Sequence, residues 1–283
     1  MSSDPESHVR PARTGTALLV SELGLLFRRR RTWTLLAALA AVPVLMGVVV
    51  RVTSGPPQGR GPAFLDQVAA SGLFLAVAAV MVCMPFFLPL TVAVVAGDSI
   101  AGEAAHGTLR YLLVAPVRRA GLLAVKYAAA LVFCLAAALV VAAVGVLTGL
   151  ALFGTGPLVL PSGMTITSAE TLGRIGLMVL YATVSLSGLG ALALFVSTLT
   201  DVPVGAMAAA VVLTIVAQIL GALPQLAWLH PWLFTHHWMG FADLLRAPLL
   251  WDSFRENALL QVGYVAVFGA LAYGRFTTKD VLS

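Results

Sequence analysis

The chain has 283 residues, of which 60% are hydrophobic and only 10% are charged, with a mean hydropathy of +0.97 and a formal net charge of +5. Soluble domains are about 25% charged, so this composition excludes a soluble globular enzyme, and the apolar content excludes an intrinsically disordered chain. We therefore predict an all-α polytopic membrane protein. Its positive charge lies mostly beside apolar segments, as at a membrane surface, rather than in a patch for nucleic acid.

The N-terminal region divides into a polar tail and an amphipathic helix. Residues 1–13 are polar and contain Pro, and we predict a disordered cytoplasmic tail there. Residues 14–31 form a moderately amphipathic pattern that is typical of a helix lying at the membrane interface. Glu22 and Arg29 lie off its apolar face. The apolar residues near that face are Leu18, Leu19, Leu25 and Leu26.

Six membrane spans are predicted in a single domain of residues 32–274. Each apolar run approaches or exceeds the roughly 20 residues that a helix needs to cross a bilayer. Pro85 and Pro89 predict a kink in the second span. Residues 275–283 form a short tail. The predicted spans cover about residues 32–52, 71–97, 123–153, 172–199, 204–223 and 257–273.

The distribution of basic residues predicts the orientation. Of the 17 Lys and Arg residues, twelve lie at the two termini or in the loop between spans two and three, and five lie on the opposite side. Basic residues favour the cytoplasmic side, so both termini are predicted in the cytoplasm. A composition rich in Ala, Val, Leu, Gly and Arg favours a bacterial host and hence its plasma membrane.

Within the spans, small and polar residues are the informative ones. Gly145 and Gly149 in the third span allow a neighbouring helix to approach closely. We place no charged residue deep in a span, which disfavours an ion-coupled pump and favours an external energy source. Polar side chains of the fourth and fifth spans are candidates for a substrate pathway, although most could equally bond back to their own helix. These candidates are Thr183, Ser187, Thr214 and Gln218.

The chain has few sequence motifs for catalysis, nucleotide binding or metal binding. A P-loop needs Lys followed by Ser or Thr, but Lys126 precedes Tyr and Lys279 precedes Asp, so the chain is not itself a P-loop ATPase. Between spans five and six, residues 224–256 are rich in aromatic residues and histidine. His230, His236 and His237 could hold an external metal ion, but we favour an aromatic interfacial belt and predict no metal.

Residues 97–126 form the most informative loop. Apolar residues recur there at helical spacing, and Pro116 ends the pattern before the basic pair Arg118 and Arg119. A short amphipathic helix between two spans is suited to docking a cytoplasmic partner, or to anchoring the loop at the interface. The residues at helical spacing are Leu109, Leu112, Leu113 and Val117.

This loop resembles that of the permease subunits of ABC exporters of the type-2 membrane-domain class. The shared pattern is an acidic residue, Gly-Thr-Leu, Leu-Leu, Pro, a basic residue and a later Lys. A basic residue often follows the acidic one in that family, whereas Ala104, Ala105 and His106 follow it here. The matching residues are Glu103, Gly107, Thr108, Leu109, Leu112, Leu113, Pro116, Arg118 or Arg119, and Lys126.

The resemblance implies a cytoplasmic coupling helix between spans two and three that contacts a separate ABC ATPase. It also implies two ATPase subunits that hold ATP and Mg, and a second permease that is either another copy or a homologue. This chain would bind membrane lipid but no cofactor, metal or nucleic acid. The implied coupling residues are Glu103, Gly107, Thr108, Arg110, Leu112, Leu113, Pro116, Arg118 and Arg119.

The segment between spans five and six would then form an external gate. We expect a permease subunit, without enzymatic activity of its own, that exports an amphipathic or hydrophobic substrate by alternating access. The alternative is a membrane assembly factor or embedded enzyme that acts on a metal or lipid at the external face. The implied gate residues are Trp228, Trp232, Phe234, His236, His237 and Trp238.

Overall fold

The computed structural model describes residues 15–53, 71–107, 119–156, 158–159, 164–246, 248–249 and 251–278. The predicted N-terminal tail and the last five residues lie outside these ranges. So do residues 108–118, which hold the predicted coupling helix and most of its candidate residues.

Helices dominate the described residues. In chain order the helices are α1 (Gly15–Arg28), α2 (Arg30–Thr53), α3 (Phe74–Cys83), α4 (Phe87–Ala105), α5 (Arg119–Phe153), α6 (Ser168–Leu199), α7 (Pro203–Ala222) and α8 (Asp252–Thr278). An antiparallel pair of two-residue strands, β1 (Leu158–Val159) and β2 (Thr165–Ile166), joins α5 to α6. Three 3₁₀ turns, Pro224–Leu226, His230–Trp232 and Gly240–Leu245, separate α7 from α8.

Six of these helices, α2 and α4 to α8, are long and apolar enough to cross a membrane. The chain is therefore an all-α polytopic membrane protein, as its composition predicts. The first span is α2, the second is α3 with α4, and the remaining four are α5 to α8. Large apolar side chains such as Val204, Ile219 and Val262 point outward, as expected where a helix faces lipid or a partner.

The second span is broken at its prolines, which confirms the predicted kink. Helix α3 ends at Cys83 and α4 begins at Phe87. The Pro85 carbonyl cannot accept the usual helical hydrogen bond because residue 89 is also Pro and has no N–H. Gln218 of α7 supplies the missing donor, with its Nε2 2.5 Å from the Pro85 oxygen. The break is thus stabilised by a side chain from another span.

Close packing of α3 on α5 depends on glycine. A Cβ added at Gly149 would lie 1.9 Å from the Gly72 carbonyl oxygen, and one added at Gly145 would lie 2.6 Å from the Ala76 Cα. Neither position has room for a side chain, so the glycine pair noted in the third span is where a second helix approaches closely.

The helices extend beyond the apolar runs that mark them in the sequence. Asp98 and Glu103, predicted to lie in a loop, belong to α4, which continues to Ala105 because apolar residues of its last turns such as Ile100 are buried against neighbours. Gly107 then ends the helix with a positive φ of 69°. Helix α5 begins at Arg119, four residues before the predicted span, and α8 runs from Asp252 to Thr278.

We expect Gly149→Ala to destabilise the protein, because the new methyl group would collide with the Gly72 carbonyl just before α3 and force this segment away from α5. Overpacking of this kind costs about 1–3 kcal/mol. A thermal unfolding series in detergent should show a lower midpoint. The control is Gly173→Ala in α6, where an added Cβ meets nothing within 4 Å. An equal midpoint for Gly149→Ala and the control would contradict this account of the packing.

Candidate functional site

Six charged side chains converge where α1, α2, α4 and α5 meet. We call them the ion-pair cluster. The end of the bundle that holds them is called the basic end, because the four consecutive arginines of residues 28–31 lie there. They surround a cavity of about 50 Å³ that residues of all four helices line. Three are cationic and three anionic, so the cluster is neutral. Its members are Glu22, Arg29, Arg31, Asp98, Glu103 and Lys126.

Lys126 is the most deeply buried member, with only 1% of its side chain exposed. Its Nζ donates to Glu22 Oε1 at 3.0 Å and to Glu103 Oε1 at 2.5 Å. A buried ammonium without counter-charges would be strongly unfavourable, so the two carboxylates make its burial possible. Because they come from α1 and α4, this one residue of α5 joins three helices.

Asp98 forms the second half of the cluster. Its Oδ2 lies 3.0 Å from Arg29 Nη1 and 3.2 Å from Arg31 Nη1. Arg31 Nη2 also lies 2.8 Å from the Met207 sulfur of α7. These contacts hold the bend between α1 and α2 against α4.

The structure corrects the predicted orientation of the N-terminal helix. Glu22, which lies off the predicted apolar face, bonds Lys126 inside the bundle, whereas Leu25 of that apolar face is 54% exposed. The ion pair with Lys126 therefore turns Glu22 toward α5, and the helix does not present only its apolar face to the bundle. The signal in the sequence was Lys126 itself, because a lysine at the boundary between the loop and the predicted third span needs a counter-charge if it is buried.

The loop predicted to couple to an ATPase is attached to the bundle on both sides. Before it, Glu103 bonds Lys126. After it, Arg119 Nη1 donates to the carbonyl oxygens of Phe276 and Thr277 at 3.1 and 2.8 Å. These carbonyls belong to the last turn of α8, where no helical N–H is available to them.

The other predicted coupling residues divide between described and undescribed parts of the chain. Gly107 is described and ends α4. The remaining ones lie outside the described residues, namely Thr108, Arg110, Leu112, Leu113, Pro116 and Arg118.

At the opposite end of the bundle, residues 224–246 form what we call the aromatic segment. Hydrogen bonds to α6 hold it in place. The Tyr181 hydroxyl donates to the His237 carbonyl at 2.6 Å, and Trp238 Nε1 donates to the Ser185 carbonyl at 3.0 Å. Arg174, also buried, donates to two carbonyls at the end of the segment at 2.8 and 2.9 Å.

Helix α8 holds the same segment from its other side. Gln261 Nε2 donates to the Phe234 carbonyl at 2.8 Å, and the Tyr264 hydroxyl donates to the Trp232 carbonyl at 2.7 Å. Side-chain donors from two spans therefore satisfy the irregular backbone of the segment, as non-helical backbone at a membrane requires.

A buried polar contact also joins α6 to α8 directly. Asn257 Nδ2 donates to the Ser185 hydroxyl at 2.7 Å, and Gln261 Nε2 lies 3.3 Å from Asn257 Oδ1. Gly188 makes room for it, since an added Cβ would lie 2.2 Å from Gln261 Oε1. The two helices and the aromatic segment therefore form one hydrogen-bonded unit.

The predicted gate residues include both exposed and buried side chains. Trp228 and Trp232 are each 71% exposed, whereas Phe234 and Trp238 are buried against α6 and α8. His236 lies between His230 and His237, with ring centroids 6.2 and 4.7 Å away. Across the part of the chain that the structure describes, no group of three or more His, Cys, Asp or Glu side chains is arranged to hold a metal ion.

The predicted pathway residues make local hydrogen bonds. The hydroxyls of Thr183, Ser187 and Thr214 each donate to a carbonyl of their own helix, at 2.7–2.8 Å. Thr214 and Gln218 nevertheless line a cavity of about 180 Å³ beside the break in the second span. The structure does not bring the two α6 residues into that cavity.

These features define a six-span membrane protein with an ion-pair cluster at one end and a clamped aromatic segment at the other. The chain matches the family model described as "Protein of unknown function (DUF2705)" over residues 41–282 and belongs to that family. No curated protein matches the chain.

We expect Lys126→Met to destabilise the protein, because it leaves two carboxylates close together without their cation. Removing one partner of a buried ion pair typically costs about 3–5 kcal/mol. The thermal midpoint in detergent should fall, and adding Glu22→Gln and Glu103→Gln should restore much of the loss. Arg255→Met, at an exposed position of α8, serves as the control. An unchanged midpoint for Lys126→Met would show that the ion pairs contribute nothing to stability.

Acidification should loosen the aromatic segment. Burial, followed by the imidazoles of His237 and His230, lowers the pKa of His236, while Glu256 opposes the shift. The folded state therefore binds this proton less readily than the unfolded state, and stability falls as the pH drops below the ordinary histidine value of about 6.5. Thermal midpoints measured from pH 7.5 to 5 should show this fall. His236→Gln should reduce it, His106→Gln should not, and equal profiles for both variants would contradict the assignment.

Proposed function

We propose that this chain is the transmembrane permease subunit of an ABC exporter that moves an amphipathic or hydrophobic compound out of a bacterial cell. The observation that carries the proposal is the attachment of the candidate coupling loop to the bundle on both sides. Glu103 precedes the loop and bonds Lys126, and Arg119 follows it and bonds the end of α8. A partner that displaces the loop would therefore move several spans together.

The ion-pair cluster lies where a displacement of the loop would reach the helices first. In the proposed orientation the basic end faces the cytoplasm, with both chain termini on that side. A push on the loop by an ATPase subunit acts on α4 through Glu103 and on α1 through Lys126 and Glu22. Because Lys126 pairs with carboxylates of both α1 and α4, a displacement of any one of these helices acts on the other two through the buried ion pairs.

Helix α8 offers a route from this end to the proposed gate. It is an unbroken helix of 27 residues, about 40 Å long. Its last turn accepts hydrogen bonds from Arg119, and Gln261 and Tyr264 hold the aromatic segment. A rigid rotation or shift of α8 would therefore move the aromatic segment when the coupling loop moves.

The proposed pathway runs beside the break in the second span. The cavity lined by Thr214 and Gln218 has about 180 Å³, below the roughly 300–1,000 Å³ of pockets for drug-sized ligands. A second permease, either another copy or a homologue, would complete a larger pathway between the two subunits. Displacement of Gln218 from the Pro85 carbonyl would widen the cavity.

The alternative, a membrane enzyme or assembly factor acting on a metal or lipid at the external face, needs a reactive or metal-binding group there. The histidines of the aromatic segment are the candidates. Their arrangement in the described part of the chain does not favour metal binding. The sequence offers no P-loop lysine, which accords with energy supplied by a separate subunit.

Gentle solubilisation of the protein from its native membrane tests the proposal first. We expect a P-loop ATPase to co-purify in near-equal amount, with vanadate-sensitive ATP hydrolysis. A clean preparation of this chain without an ATPase partner would exclude the exporter assignment. Metal analysis of the same sample would then test the alternative.

We further expect Glu103→Gln to reduce substrate-stimulated ATP hydrolysis of the purified complex several-fold, because it weakens the contact with Lys126 that joins the end of α4, where the loop begins, to α5. The basal activity of the ATPase should persist. Glu256→Gln, a carboxylate change on α8 at the other end of the bundle, is the matched control. Unchanged stimulation in the Glu103 variant, with the complex intact, would remove the ion-pair cluster from the coupling mechanism.

A further inference from the structure

A narrow apolar groove lies between α5 and α8, with α6 as its floor. Its volume is about 230 Å³, and its surface is almost entirely apolar. Small residues such as Ala120, Ala124 and Gly269 make the groove concave, and Tyr127 and Tyr273 contribute aromatic rings to it. It is separate from the ion-pair cluster and from the cavity beside Gln218.

The positions of the lining residues along α5, α6 and α8 place the groove at the same depth in the membrane. Its α5 residues belong to the first turns after Arg119, and its α6 residues to the last turns before Leu199. Its α8 residues end at Tyr273, about one turn before the helix terminus. The groove therefore lies in the leaflet at the basic end and reaches the membrane surface there.

A basic side chain lies at that surface end. Arg119 directly precedes Ala120, and its Nη1 bonds the carbonyls of Phe276 and Thr277, one turn beyond Tyr273. The guanidinium thus bridges α5 and α8 next to the groove. Arginine carries five N–H donors, and the hydrogen bonds found among the described residues use only those of Nη1. Charged donors remain for an anionic ligand.

We propose that this groove binds one anionic phospholipid of the leaflet at the basic end. One acyl chain fills the groove, and the phosphate lies at Arg119, where a bidentate contact is favourable. Charge complementarity selects the headgroup, because an anionic lipid such as phosphatidylglycerol carries a net negative charge, whereas the choline cation of phosphatidylcholine opposes the guanidinium. This inference does not depend on the proposed transport function.

The charge beside the groove argues against an apolar helix of a second copy as its occupant. Such a helix, about 10 Å across, would contact the groove through the side chains of one face and would bring no anion to Arg119. A hydrocarbon chain is slimmer and flexible, and it matches the apolar lining. Small residues at a groove floor also permit close contact with a chain that has no side groups.

Native mass spectrometry of the full-length protein tests this binding. The purified protein is incubated with equal amounts of phosphatidylglycerol and phosphatidylcholine and then released from detergent. We expect one tightly retained phosphatidylglycerol per chain, at least fivefold in excess over phosphatidylcholine. Gly269→Leu should lower this retention at least fivefold by filling the groove, where an added Cβ meets nothing within 4 Å. Ala124→Leu, also at an exposed position, serves if the first variant does not fold.

Two further variants separate the parts of the proposal. Arg119→Gln should bring the ratio of the two lipids close to one. Gly274→Leu, on the same helix but outside the groove, should leave retention unchanged. Equal retention of both lipids by the unaltered protein, or retention unaffected by filling the groove, would overturn the proposal. So would a dimer in the spectrum that Gly269→Leu converts to monomer without changing the lipid count, since the occupant would then be a second copy.

Discussion

The burial of one ammonium group organises the basic end of this molecule. Lys126 is almost fully removed from solvent, and a cation in that position requires counter-charges within hydrogen-bond distance. The two carboxylates that meet it come from α1 and α4, so the requirement fixes where both helices lie against α5. The bend between α1 and α2 then follows, because Asp98 of α4 holds Arg29 and Arg31. Four helices are thus positioned by charge balance in a bundle whose other contacts are mostly apolar and weakly directional.

The opposite end is organised by side-chain hydrogen bonds to backbone carbonyls, including those of the buried Arg174, rather than by a cluster of paired charges. There the irregular aromatic segment needs donors for its carbonyl groups, and Tyr181, Gln261 and Tyr264 supply them. Helix α8 takes part at both ends, since its last turn accepts the hydrogen bonds of Arg119. A bundle with one rigid helix fastened at each end can transmit a displacement between membrane surfaces without any charged group at its centre. This property makes the proposed coupling of an ATPase to an external gate mechanically reasonable.

The candidate site was predictable in part. Glu103 and Lys126 were singled out by the resemblance of the loop to that of ABC exporter permeases, but their direct contact and the participation of Glu22 were not predicted. Amphipathic patterning considers one helix at a time, so it assigned Glu22 only to a position off the apolar face. The hydroxyls proposed for a pathway illustrate the same limit, because Thr183 and Ser187 satisfy their own helix. Gln218 was singled out for its polarity, whereas the acceptor it serves was created by Pro89 in another span.

The sequence by itself determined the class of protein, the number of spans and the break in the second one. These properties are local, because they depend on the hydrophobicity of consecutive residues and on the geometry of proline. Only the tertiary structure decided which charges pair, which carbonyls receive side-chain donors and where grooves remain. Such contacts join residues far apart in the chain, as Glu22 and Lys126 are across 104 positions. Their formation depends on how all the helices pack together, and no periodicity within a single helix records it.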